Sequence, residues 1–154
     1  MSIQCTIVPV TPYQQNCSII KCQASGQAAV VDPGGDVERI LEAVHKMEAT
    51  VEKIILTHAH MDHCAASDVL RQQLEVPIEG PHQADNFWLE KLPEWYQMAG
   101  FPHADAFVPD RWLEEGDTVT VGEQTLQVFH CPGHTPGHVV FLYQPQKVAW
   151  VGDV

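Results

Sequence analysis

The sequence predicts an α+β protein in which two β-sheets pack face to face with helices laid against them. Three observations carry that expectation. Short apolar and β-branched runs gather in two blocks, 6–31 and 118–151, each cut by Pro, Gly, Asn and Ser. Stretches with helical spacing lie between the blocks. At 154 residues and 45% hydrophobic content, the chain can bury one core, and nothing suggests two independent ones.

Taken in order, runs 6–10, 17–21 and 28–31 read as strands of a hairpin-rich sheet. Asp32-Pro33-Gly34-Gly35-Asp36 then turns the chain into a helix, with Asp36 as its expected N-cap and Val37, Ile40, Leu41 and Val44 as a core-facing stripe. A buried strand is expected over 51–56, a helix over 65–74 carrying Val69, Leu70 and Leu74, and a short strand over 76–78. Segment 82–112 is different in kind: Phe87, Trp88, Trp95, Tyr96, Phe101 and Trp112 alternate with Pro93, Pro102 and Pro109. It reads as a helical excursion, with a helix over 85–97 broken by prolines, whose aromatics either pack it onto the body, the favoured reading, or wall a substrate cleft. Four strands follow over 118–121, 125–129, 139–143 and 148–151, with turns at Gly122-Glu123 and Gln144-Pro145-Gln146. The expectation is one domain over 1–154, with 82–112 as an excursion within it.

Chemistry concentrates where strand 51–56 ends. His58-Ala59-His60-Met61-Asp62-His63 puts four ligand-capable side chains into six positions. With nine histidines in 154 residues, a shuffled chain shows this pattern about two times in a thousand. In an extended segment His58 and His60 share a face, while Asp62 and His63 open the next turn and aim elsewhere, so one loop could feed two neighbouring metals. Imidazole and carboxylate suit zinc, iron or manganese.

Further donors follow. His130-Cys131-Pro132-Gly133-His134-Thr135-Pro136-Gly137-His138 leaves a strand through two Pro-Gly steps, a stiff loop able to present a histidine. Trp150-Val151-Gly152-Asp153 ends a strand on a carboxylate that could reach across two metals.

The formal charge of −12, with only 8 Lys and Arg, argues against nucleic acid and fits a small-molecule substrate. Cys5, Cys17, Cys22, Cys64 and Cys131 are odd in number and irregular in spacing, as reduced thiols of a cytoplasmic protein would be. The N-terminus shows no secretory pattern, and no stretch is apolar enough to cross a membrane. Cys64 and Cys131 are read as packing residues.

Asn16-Cys17, Val31-Asp32-Pro33-Gly34-Gly35, Thr57 with the histidine cluster, Pro132-Gly133-His134-Thr135-Pro136-Gly137 and Gly152-Asp153 occur in an order that resembles the metallo-β-lactamase fold superfamily. Within it the chain looks like the glyoxalase II (hydroxyacylglutathione hydrolase) branch, most like short bacterial YcbL-type members. The resemblance implies an αββα four-layer sandwich, with His58, His60, His134 and Asp153 around metal 1 and Asp62, His63 and Asp153 around metal 2. Asp62 would also orient the attacking water, and Asp32 and Thr57 would hold ligands in place. His138 is expected to support the site without ligating, and His45, His82, His103 and His130 match no ligand position. Relatives continue past Gly-Asp and add another histidine to metal 2, so the chain is expected to be truncated at its C-terminus and to hold one ion better than two.

The activity implied is hydrolysis of S-D-lactoylglutathione to D-lactate and glutathione by metal-activated water, a step of methylglyoxal detoxification, with zinc as the expected ion. A mononuclear iron persulfide dioxygenase is the rival enzyme. A non-catalytic scaffold or an inactive truncated product is the rival of another class. Oligomeric state and substrate-binding residues are not legible.

Overall fold

The computed structural model describes residues 2–12, 14–101 and 103–153. Strands β1 (Ile3–Val10), β2 (Gln15–Cys22) and β3 (Gln27–Val31) form an antiparallel meander, and β4 (Thr50–Ile55) and β5 (Ile78–Glu79) extend it in parallel, giving a five-stranded sheet. Strands β6 (Thr118–Val121), β7 (Gln124–His130), β8 (Val139–Tyr143) and β9 (Val148–Trp150) form a second, antiparallel sheet in chain order. Helix α1 spans Val37–Lys46, α2 Met61–Cys64, α3 Ser67–Leu74, α4 Asn86–Glu90 and α5 Leu92–Met98.

The two-residue period of a strand divides the core in two. In the first sheet Ile19, Ala28, Val30 and Ile54 face the helices, where Ile40, Leu70, Leu89 and Leu92 meet them. Their neighbours Ile20, Ala29, Val31 and Ile55 face the second sheet and meet Val119, Leu126, Val128, Val139 and Phe141. Helix, sheet and sheet are thus three of the four layers expected. The outer face of the second sheet leaves Phe129 exposed.

Pairing between β3 and β4 shifts once: Ala28 lies opposite Val51 but Ala29 lies opposite Lys53, so Glu52 is an extra residue. Its carboxylate accepts the Gly122 N–H at the β6–β7 turn (2.8 Å).

Two local expectations need correction. Asp36 precedes α1 in a left-handed conformation (φ 52°), and its side chain does not cap the helix. The carboxylate instead accepts the Thr11 N–H (2.7 Å), fastening the β1–β2 turn. The helix expected over 65–74 is α3 and starts two residues later, because the Ala66 N–H is taken by the Pro33 carbonyl (3.0 Å), which separates it from the short helix α2 before it. Val69 then faces outward, while Leu70 is buried.

Segment 82–112 holds a 3₁₀ turn (Gln83–Asp85), α4, α5 and irregular chain beyond. Trp88, Tyr96 and Trp112 pack partly buried on the helix-side core, whereas Phe87 and Trp95 are exposed. Pro102 lies outside the described residues. No helix among the described residues is long and apolar enough to cross a membrane.

Candidate metal centre

Strand β4 carries the chain to the sheet edge, and α2 starts within the same cluster, so His58 to His63 are fixed by a strand end on one side and a helix turn on the other. The loop after β7 brings His134, and the chain after β9 brings Asp153. Donor atoms of His58, His60, His134 and Asp153 all lie within 4.8 Å of one another, as do those of Asp62, His63 and Asp153. The Asp153 Oδ2 belongs to both groups, at 3.4 Å from His58 Nε2, 3.1 Å from His134 Nε2 and 3.3 Å from His63 Nε2.

Hydrogen bonding behind the cluster determines which ring nitrogens face inward. Asp32 is buried, with Oδ1 accepting the Thr57 N–H (2.8 Å) and Oδ2 accepting the Thr57 hydroxyl (2.6 Å). With its O–H directed at Asp32, the hydroxyl oxygen accepts from His58 Nδ1–H (2.9 Å). His58 therefore carries its proton on Nδ1 and turns a bare Nε2 lone pair into the site. That Nε2 is buried and has no hydrogen-bond partner, an arrangement that costs free energy unless a cation or donor meets it. His63 likewise donates Nδ1–H to Asp32 Oδ2 (2.9 Å) and turns Nε2 toward Asp62 and Asp153.

Electrostatics separates the rings. Burial, then the neighbouring imidazoles, holds His58 far below the ordinary histidine range, and burial with His134 beside it lowers His60. Both stay neutral, the form a metal requires. Burial opposes charge on His63 too, but the hydrogen bond and charge of Asp32, with Asp62 and Asp153 nearby, outweigh it and raise the group from 6.5 to about 9. A group so charged must release its proton before it can ligate.

His138, expected as a supporting residue, is fully buried and stacks on His58 (centroids 4.5 Å apart, 15° between planes). Its Nε2 accepts the Asp153 N–H (3.1 Å), which locates the carboxylate-bearing turn. Gly152 sits there with φ +54°, where a Cβ would fall 2.5 Å from Thr57 Oγ1 and 2.7 Å from His138 Nε2, so only glycine fits. Thr57 also serves the strand end, its carbonyl accepting the Val139 N–H (2.7 Å).

Sequence reasoning missed Asp85. It is fully buried, and Oδ2 accepts the Ala59 N–H (2.9 Å) and the Thr135 hydroxyl (2.9 Å) while Oδ1 accepts the Gly137 N–H (2.6 Å). Ala59 stands between His58 and His60, and Thr135 follows His134, so one side chain ties the two histidine loops together. Of the remaining histidines, His82 and His130 stack on each other (4.1 Å, 3°) and His103 pairs with Asp105 at the surface. Cys64 is wholly buried in the helix-side core, and all five cysteines are free.

Comparison with known proteins agrees with this geometry. Hydroxyacylglutathione hydrolase GloC of Haemophilus influenzae is 42% identical over 149 residues, covering 96% of this chain and 70% of that protein. The B3 metallo-β-lactamase BLEG-1 superposes with a TM-score of 0.85 at 32% identity (96% of this chain, 71% of that one). TTHA1623, solved in a di-iron-bound form, also gives 0.85, at 30% identity (97% and 72%). The pattern of the metallo-beta-lactamase superfamily matches residues 10–154, and the chain belongs to that superfamily.

Proposed function

We propose that the chain hydrolyses the thioester of an acylated glutathione, with S-D-lactoylglutathione as the reference substrate, giving D-lactate and glutathione. One observation carries the metal-dependent part: the buried, unpartnered Nε2 of His58 stands among the donors of His60, His134 and Asp153. In this reading those four residues hold one ion and Asp62, His63 and Asp153 contribute to a second. GloC supports the substrate by its name and 42% identity. Zinc suits the histidine-rich set, and the di-iron form of TTHA1623 supports testing iron beside it, with manganese as a third choice.

A bound ion would supply Lewis acidity for the thioester carbonyl and lower the pKa of water from about 15.7 toward roughly 7. The protein's own groups do the rest. Asp62 accepts a hydrogen bond from the attacking water and sets its direction, while Asp32 and Thr57 hold His58 and His63 in the tautomers that leave Nε2 free. Water adds its oxygen to the carbonyl carbon, the C–S bond breaks, and the sulfur leaves as glutathione thiolate, which takes up a proton.

The test is loss of thioester absorbance with lactoylglutathione and metal-loaded protein. His58→Ala and His134→Ala should each abolish metal-dependent turnover; unchanged turnover in both ends the metal-hydrolysis reading. Oxygen uptake with glutathione persulfide in the same preparation, without thioester cleavage, would assign the chain to the dioxygenase reaction instead.

A further inference from the structure

Beside the histidine cluster, on the helix side, lies a cavity of 270 Å³ lined by His60, Met61, Asp62, Trp88, Leu92 and Trp95. The Trp88 ring meets the His60 ring edge to face (4.7 Å), and Trp95 lies against Trp88 (5.4 Å) with part of its surface open to solvent. A continuous aromatic wall therefore runs from the protein surface to a prospective metal ligand. The sequence alone favours packing for these rings; the structure leaves a space beside them, toward Met61 and Leu92.

We propose that this cavity is the acyl pocket, and that the preferred thioester carries an acyl group larger and more apolar than lactoyl, with room for an aromatic ring. The inference rests on the hydrolase reading and extends it to substrate class. His60 and Asp62 line both the cavity and the ligand cluster, so a carbonyl at the cluster places its substituent in the cavity. The glutathione part fits poorly here, since it carries two carboxylates and the lining contains no Lys or Arg and one Asp. Size also discriminates. A cavity of about 150 Å³ already accommodates benzene, so lactoyl, with three carbons, would leave most of this space empty.

The experiment measures binding, so it does not depend on turnover. S-Benzylglutathione and S-methylglutathione, thioethers that cannot be hydrolysed, are titrated calorimetrically into wild type, Trp88→Ala and Trp95→Ala, each checked by thermal melting. S-Benzyl-N-acetylcysteamine is the carrier control. The pocket predicts benzyl over methyl by about tenfold or more in wild type, with the advantage reduced in both variants and the methyl affinity little changed. Trp95 is exposed enough for its variant to fold if Trp88→Ala does not. Equal affinity for benzyl and methyl conjugates, or no binding of either, overturns the pocket and leaves lactoylglutathione hydrolysis to be judged by its own assay. A benzyl preference kept on the cysteamine carrier with no gain from glutathione supports the pocket and removes glutathione from the proposed substrate.

Discussion

Replacing Asp85 with Ala tests whether the two histidine loops are held by one buried side chain. The substitution removes the acceptor for three buried donors: the Ala59 N–H, the Gly137 N–H and the Thr135 hydroxyl. A buried donor without a partner costs about 1–3 kcal/mol. The Thr135 hydroxyl can rotate toward another acceptor, but the two amides are fixed, so the metal-free protein should lose about 3–5 kcal/mol. For a chain of this length that lowers the melting temperature by roughly 10 °C. Because Ala59 and Thr135 adjoin His58, His60 and His134, zinc affinity should also fall, by about 10–100-fold. Asp85→Asn keeps the volume and one acceptor oxygen but places an amide against a donor, and should fall between wild type and Asp85→Ala in both measurements. Urea unfolding of the metal-free proteins and zinc competition against a chelating dye read the two effects separately. Unchanged stability in Asp85→Ala would refute the bonding; lost stability with unchanged zinc affinity would refute the claim that the bonds locate the ligands.

Three other outcomes are expected. Zinc titration should show one ion bound more tightly than the next, since four donors converge around His58 and three around His63; two equivalents of equal affinity would contradict this. Metal-free protein should be most stable near pH 6.5. Below that value His58, His60 and His138, all lowered by burial, stay neutral while the unfolded chain takes up protons, so stability falls as pH falls. His63 acts in reverse: its contribution is complete below about 6.5 and is lost as pH rises through about 9. A melting temperature that climbs steadily from pH 6.5 to 9, or an alkaline decline unaltered by His63→Gln, would show the signs are wrong. Finally, iodoacetamide on the native protein should label exposed Cys5 and half-buried Cys131 and spare Cys17 and Cys64, whose thiols burial pushes up; mass spectrometry that finds Cys17 or Cys64 modified first would refute this.

Features set by neighbours in the chain were readable from it. His58 to His63 stand in one loop, and the Pro-Gly steps around His134 stiffen another, so local spacing was enough to mark them. The division of the first sheet into two apolar faces followed from the strand period. Asp85 was not readable, because its partners Ala59, Thr135 and Gly137 lie 26, 50 and 52 residues away and its own segment shows no strand or helix period. His138 was foreseen as a support, but its stacking on His58 and its bond to the Asp153 amide depend on two strands returning side by side. The later start of α3 was hidden because it comes from a distant carbonyl, that of Pro33, and the local residues permit helix from Ala65 onward.

The extra residue in β4 gives this arrangement a parity. Side chains alternate along a strand, and Glu52, unmatched on β3, restores agreement between Val51 upstream and Ile54 downstream, so that both face the helices. Removing one residue there would turn one end of the strand over: either Val51 leaves the helix-side core, or Ile54 and the histidines behind it rotate away from Asp153. Changes in the length of this strand should therefore be tolerated in pairs and not singly, and Glu52, bonded to Gly122 of the opposite sheet, keeps the count.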